Sequence, residues 1–126
     1  MSQKILIVDD ESHIRMLIGQ TLEELEDVGV DFFEAENGEK ALQIIQDEKP
    51  DLVFLDVMMP KMNGMEVCRR VKQDLKLDNI FIILLTAKGQ ELDRQKGQEV
   101  GANIYMTKPF DPESILKKAK EVLKIA

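Results

Sequence analysis

Five short apolar runs recur along the chain, at Lys4–Val8, Asp31–Ala35, 52–55, 80–85 and 104–107, each rich in β-branched or aromatic residues. Runs of this length and composition predict β-strands. The runs at 52–55 and 80–85 do not alternate with polar residues, as expected of parallel strands covered on both faces. Between the runs the apolar spacing is helical. Ile14, Leu17, Ile18, Leu22 and Leu25 form one stripe, and Ile115, Ala119, Val122, Leu123 and Ala126 form another. Shorter helices fit 39–46, 64–73 and 90–100. Start signals precede the first, second, third and last of these helices: Asp10 or Ser12, Asn37, Asn63, and Asp111 with Pro112. Strand and helix thus alternate, which predicts an α/β fold with a parallel sheet, right-handed crossovers and helices on both faces.

Length changes this picture little. The chain has 126 residues, 44% of them hydrophobic, so one domain spanning 1–126 with one sheet is expected. No Pro/Gly/Ser-rich linker or low-complexity tract interrupts it. The N-terminus lacks the apolar run of a signal peptide, and 80–85 is too short to span a bilayer, so a soluble cytoplasmic protein is expected. Cys68, without a second cysteine, reads as a packed core thiol on a helix. The net charge of −7 argues against nucleic acid as a direct partner. The basic cluster Lys117, Lys118, Lys120 and Lys124 falls late in a helix, where it complements the dipole and reads as a solvated face.

The chemistry lies at the strand ends, because ligands of open parallel sheets bind there. The first strand ends in Asp9 and Asp10, the third in Asp56, the fourth in Thr86 and the fifth in Lys108. Three converging carboxylates repel one another unless a cation neutralises them, and Mg²⁺ or Mn²⁺ is the natural choice for oxygen ligands. Asp56, on the middle strand, is placed to attack phosphorus and form an acyl phosphate. Lys108 would add a second positive contact and Thr86 a hydrogen bond to the phosphoryl group.

The segments Ile7-Val8-Asp9-Asp10-Glu11, Leu55-Asp56-Val57-Met58-Met59-Pro60 with Asn63-Gly64, Leu85-Thr86-Ala87 and Tyr105-Met106-Thr107-Lys108-Pro109-Phe110 resemble the receiver domains of bacterial two-component response regulators, chemotaxis regulators included. The resemblance covers essentially the whole chain. It implies a doubly wound, flavodoxin-like sheet of five parallel strands in the order 2-1-3-4-5, with five helices. It makes Asp56 the phosphoacceptor, and Asp9, Asp10, Asp56 and the backbone carbonyl of Met58 the Mg²⁺ ligands. Thr86 and Lys108 would contact the phosphoryl group. Thr86 and Tyr105 would form the switch, and Lys108–Pro109 would be a cis peptide. The implied donor is a sensor histidine kinase or phosphotransfer protein. The implied output, to a downstream protein or effector domain, runs through the 90–100 helix, the last strand and the last helix. Such a domain is not an enzyme beyond catalysing its own phosphorylation and dephosphorylation. The resemblance also makes Met58 and Lys88 the variable positions flanking the phosphoryl group; Met58 cannot orient water and Lys88 could lie over the phosphoryl group, so slow loss of that group is expected.

Two features depart from the pattern. Many DNA-binding regulators carry two acids just before the aromatic, where this chain has Asn103 and Ile104, so dimerisation by that face is not expected. The chain also stops at Ala126, so either the domain works alone or an effector domain has been cut away. Other readings are weaker. An aspartyl-phosphate phosphatase needs a second Asp where Met58 stands, and no Gly-rich turn follows the first strand for a dinucleotide. A module that kept the fold but lost phosphorylation would have lost one of the acids or the lysine. His13 reads as an exposed helix residue.

Overall fold

The computed structural model describes residues 2–59, 62–87, 101–108 and 111–125. The expected helix at 90–100, the flanking Lys88, the Lys108–Pro109 peptide bond, Pro60, Phe110 and Ala126 lie outside the described residues. Five strands, β1 (Lys4–Val8), β2 (Asp31–Ala35), β3 (Leu52–Asp56), β4 (Phe81–Ala87) and β5 (Ile104–Lys108), form one parallel sheet in the order β2-β1-β3-β4-β5. Four of the five expected helices fall among the described residues: α1 (Ser12–Thr21), α2 (Gly38–Glu48), α3 (Gly64–Arg69) and a C-terminal helix (Pro112–Leu123). The strand order reverses between β1 and β3, so the crevice of a doubly wound sheet opens above their C-terminal ends.

Two apolar layers sandwich the sheet, and the period of two along each strand decides which residue serves which layer. Leu6, Val8, Val53, Leu55, Ile82 and Leu84 face α2, α3 and the turn that continues α3, which supply Ala41, Ile45, Val67, Cys68 and Val71. Ile5, Ile7, Leu52, Phe54, Ile83 and Leu85 face α1 and the C-terminal helix, which supply Ile18, Leu22, Ile115, Ala119 and Leu123. All five residues of β3 are buried, the reason it reads as one apolar run. Cys68 is fully buried, and its surroundings push the thiol up to about 11, the behaviour of a core residue rather than a nucleophile. Lys118 and Lys120 pair with Glu121 and Glu24, so part of the C-terminal basic cluster is already matched by acids.

The structure departs from the periodicity in three places. The stripe from Ile14 to Leu25 is not one helix: α1 stops at Thr21, and a 3₁₀ segment, Glu23–Val28, carries Leu25 into the core before Gly29 closes it at φ 91°. Glu23, Glu24, Glu26 and Asp27 would otherwise place negative charge on the negative end of a continuing helix. The start of α1 differs as well, since its N-cap is Glu11, which makes no side-chain cap bond, while the Asp9 carboxylate accepts from the Glu11 N–H at 2.9 Å. The expected 64–73 helix is α-helical only to Arg69 and widens into a π turn, Arg70–Asp74, closed by Leu75 N–H on the Arg70 carbonyl at 2.8 Å. The other caps follow the sequence: Asn37, Asn63 and Asp111 each accept a backbone N–H from the first turn of their helices.

Candidate functional site

The strands run further than their apolar runs. Asp56, Thr86 and Lys108 are not loop residues beyond β3, β4 and β5 but members of the ladder, with Asp56 opposite Leu85, Thr86 opposite Thr107 and Ala87 opposite Lys108. Their backbones are fixed by sheet hydrogen bonds. Alternation then sorts the side chains. Asp56 and Lys108 belong to the same parity as Phe54 and Met106, whereas Thr86 shares its face with Leu84 and, on the neighbouring strand, Tyr105. Tyr105 is half-buried against the α2 and α3 layer, and its hydroxyl is buried.

Carboxylate oxygens of Asp9, Asp10 and Asp56 lie within 4.8 Å of one another. Asp9 is fully buried, Asp56 is 4% exposed and Thr86 2%, while Asp10 faces solvent. The Lys108 ammonium sits between two of the acids, 2.8 Å from Asp9 Oδ2 and 3.3 Å from Asp56 Oδ1. One ammonium does not balance three carboxylates. Burial and then the neighbouring Asp9 push Asp56 up to about 6, against the pull of Lys108. Burial, followed by Asp9, also raises Asp10. Burial works against the Lys108 charge, yet its hydrogen bond to Asp9 and the nearby Asp56 outweigh it and hold the ammonium above its ordinary pKa.

The end of β3 is locked from behind by a glycine whose role the sequence did not disclose. A Cβ on Gly64 would stand 2.3 Å from the Asp56 carbonyl oxygen and 2.9 Å from its carbonyl carbon, so only glycine lets the start of α3 approach this closely. The Gly64 N–H donates to the Val57 carbonyl at 3.0 Å, and the Val57 N–H donates to Leu85 at 2.9 Å. Gly38 plays a parallel part at the start of α2, where a Cβ would stand 2.5 Å from the Met62 carbonyl oxygen. Both glycines directly follow an Asn cap, which in sequence looks like ordinary turn chemistry. Met58, 57% exposed, borders the cluster, and its N–H lies 3.4 Å from Asp56 Oδ1. His13 is exposed and faces Glu11 rather than the acids. Asn103 serves the sheet, since its side-chain carbonyl accepts the Ile82 N–H at 2.8 Å and its own N–H donates to the Ile82 carbonyl at 3.0 Å, joining the start of β5 to β4.

A doubly wound sheet fixes where a ligand binds but not which one, and comparison with known proteins narrows the choice. Residues 5–120 match the response regulator receiver domain family. The chain belongs to that family. The receiver domain is 44% identical over 124 residues to the alkaline phosphatase synthesis transcriptional regulatory protein PhoP of Bacillus subtilis, covering 98% of this chain and 50% of that protein. It is 46% identical to the phosphate regulon transcriptional regulatory protein PhoB of Pseudomonas aeruginosa, covering 98% and 53%. It thus spans about half the length of these relatives. Among solved structures it is similar to the BeF3-activated DrrB receiver domain, with a TM-score of 0.84, 35% identity and coverage of 98% and 99%. It is also similar to the chemotaxis protein CheY4 of Vibrio cholerae, with a TM-score of 0.83, 34% identity and coverage of 97% and 99%. The receiver domain is a signalling domain of two-component response regulators, with the strand order of that fold. Among the described residues no helix is long and apolar enough to cross a membrane.

Proposed function

We propose that this receiver domain, residues 1–126 acting as one unit in the cytoplasm, accepts a phosphoryl group on Asp56 from a histidine kinase or phosphotransfer protein in a reaction that needs a divalent cation. The observation that carries this reading is the under-neutralised cluster of Asp9, Asp10 and Asp56, in which Asp9 and Asp56 are buried and Lys108 is inserted between those two. The donor set suits Mg²⁺ or Mn²⁺. All its ligand atoms are oxygens, and the Asp10 side is open to water. Asp9, Asp10, Asp56 and the Met58 carbonyl would hold the ion, which when bound neutralises charge on the carboxylates and on phosphoryl oxygens.

The chain's own residues then account for the transfer. An Asp56 carboxylate oxygen attacks phosphorus, the bond from phosphorus to the donor breaks, and its electron pair leaves with the donor. The ladder bonds of Asp56 and the close approach of Gly64 fix the nucleophile in direction, so little ordering remains for the reaction. Lys108, already within reach of Asp56, turns its ammonium to the phosphoryl oxygens. Thr86 supplies a hydroxyl on the adjacent strand. Intact-mass measurement after incubation with acetyl phosphate and Mg²⁺ should show one added phosphoryl group, absent with chelator and absent in Asp56→Asn. Labelling that persists in Asp56→Asn would sink the assignment. The same assay followed in time gives the lifetime. Decay should be slow in the wild type and faster in Met58→Asn with Lys88→Glu.

The signal leaves through the face that includes Tyr105. Thr86 and Tyr105 are diagonal neighbours on one face of β4 and β5, so a Thr86 hydroxyl drawn towards Asp56 changes the space beside the Tyr105 ring. The output surface is then the 90–100 segment, β5 and the C-terminal helix, and it meets a downstream protein or an effector domain. Phosphorylation can shift this face between two packings only if they differ in affinity for the phosphoryl group. Amide exchange with and without beryllofluoride should change across residues 90–105. Changes confined to the turns carrying Asp9, Asp56 and Lys108 would exclude this route.

A further inference from the structure

Asp9 is the most completely held of the acids. Its N–H donates to the Ala35 carbonyl at 3.2 Å, and its carboxylate accepts from the Glu11 N–H at 2.9 Å and from Lys108 at 2.8 Å. Its own carbonyl oxygen accepts from Arg15 Nη1 at 2.6 Å. Arg15 stands in the first turn of α1 with a side chain only 17% exposed, and its Nε lies 3.3 Å from Glu34 Oε1 on β2. One guanidinium therefore ties the end of β1, the start of α1 and β2 together.

The carbonyl that Arg15 holds belongs to the peptide unit joining Asp9 to Asp10. That unit is planar, so fixing its oxygen also fixes the direction in which the Asp10 Cα leaves it. Asp10 faces solvent, and the other hydrogen bonds that hold this turn are made by its neighbours: the Glu11 N–H donates to the Asp9 carboxylate, and the Glu11 carbonyl accepts from the Ile14 and Arg15 N–H groups. A planar fork suits this role, since one edge can hold the carbonyl while another meets Glu34; a lysine offers a single point of charge.

We propose that Arg15 is a positioning residue for the divalent cation site, clamping the Asp9–Asp10 peptide so that both carboxylates reach one ion, with Glu34 orienting the guanidinium. This rests on the reading of the acid cluster as a cation site. Groups that orient metal ligands from outside the coordination shell are typically worth roughly 10- to 100-fold in metal affinity. The sign is diagnostic. A positive charge near the site repels a cation, so removing Arg15 would tighten binding if only its charge mattered, whereas loss of the clamp weakens it.

The test is a Mn²⁺ titration, read by water-proton relaxation, of the wild type, Arg15→Met, Arg15→Lys and Glu34→Gln, beside urea unfolding of each in chelator. Arg15→Met should bind Mn²⁺ about tenfold more weakly, with Arg15→Lys intermediate. Phosphorylation from acetyl phosphate should fall by a similar factor at limiting Mg²⁺ and recover at saturating Mg²⁺. Equal or tighter Mn²⁺ binding by Arg15→Met overturns the proposal, as does a loss of chelator-state stability with unchanged Mn²⁺ affinity. Should Arg15→Met fail to fold, Arg15→Lys and Glu34→Gln decide: weaker Mn²⁺ binding in both supports the clamp, and wild-type affinity in either overturns it. Failure of the wild type itself to bind Mn²⁺ would instead remove the cation-site reading.

Discussion

Gly64→Ala is expected to cost about 3 kcal/mol of stability and to slow phosphorylation of Asp56 by a factor on the order of 10². The added methyl group has no flexible neighbour to displace. It would meet the carbonyl oxygen and carbon of Asp56 at 2.3 and 2.9 Å and the Val57 Cα at 3.0 Å, all backbone atoms of the acceptor strand. Either the start of α3 moves away or the end of β3 bends, and both disturb the carboxylate. Gly64 does not have a positive φ, so the objection to alanine is purely steric. Gly19 supplies the control. It lies within α1, and a methyl group added there would meet nothing within 4 Å, so Gly19→Ala should raise stability by roughly 0.5–1 kcal/mol and leave phosphorylation unchanged. Urea unfolding and the mass assay on the two variants check both halves. A Gly64→Ala protein with wild-type midpoint and rate would show that the close approach has no function.

The second large effect runs in the opposite direction, because the acid cluster proposed as the reaction site destabilises the fold when no cation neutralises it. Asp56 ionises at about 6 in the folded chain against 3.8 ordinarily. An acid whose pKa is raised by folding binds more protons in the native than in the unfolded state. Stability therefore falls as pH rises through the window from about 4 to 6 and stays low above it. About two units of displacement amount to about 2 to 3 kcal/mol. In chelator at pH 7, Asp56→Asn should be more stable than the wild type by about that amount, and its stability should lack the decline between about pH 4 and 6. Saturating Mg²⁺ should stabilise the wild type more than the variant, since the ion is expected to bind the intact carboxylate set more tightly. Urea midpoints at pH 4.5, 6 and 7.5, with chelator and with Mg²⁺, give the comparison. Equal stability of the two proteins in chelator at pH 7 would contradict this account.

The sheet and the positions of the strand-end residues were legible because burial on both faces leaves an unmistakable mark. Leu52 to Leu55 are apolar without interruption since each faces one of two helical layers, and an acid that ends such a run has nowhere to go but the crevice. What sequence could not show is how the acids are held. Gly64 looks like half of a cap, and only the folded chain brings the acceptor carbonyl against it. Arg15 looks like a surface residue of an amphipathic helix, because the oxygen it serves is a main-chain atom that no side-chain pattern encodes. The break after Thr21 and the π turn at Arg70 escape the pattern for a related reason: an apolar stripe records which residues are buried, and several helical pitches bury the same set. Asn103 reads in sequence as the absence of an acid, whereas its amide is employed on β4.

The parallel pairing has a consequence for how the chain is made. β1 lies between β2 and β3, with Ile5 beside both Phe32 and Leu52, and both pairings are parallel, so each needs a crossover connection and no hairpin can form around it. A growing polypeptide releases Lys4–Val8 before either partner and must carry this apolar strand without its full pairing until Leu52–Asp56 follows. At synthesis rates of roughly 5–20 residues per second that wait lasts seconds, far longer than hydrophobic collapse takes. This interior strand is thus the one exposed longest to aggregation and to chaperones, and Leu52–Asp56 is the piece whose arrival ends that exposure.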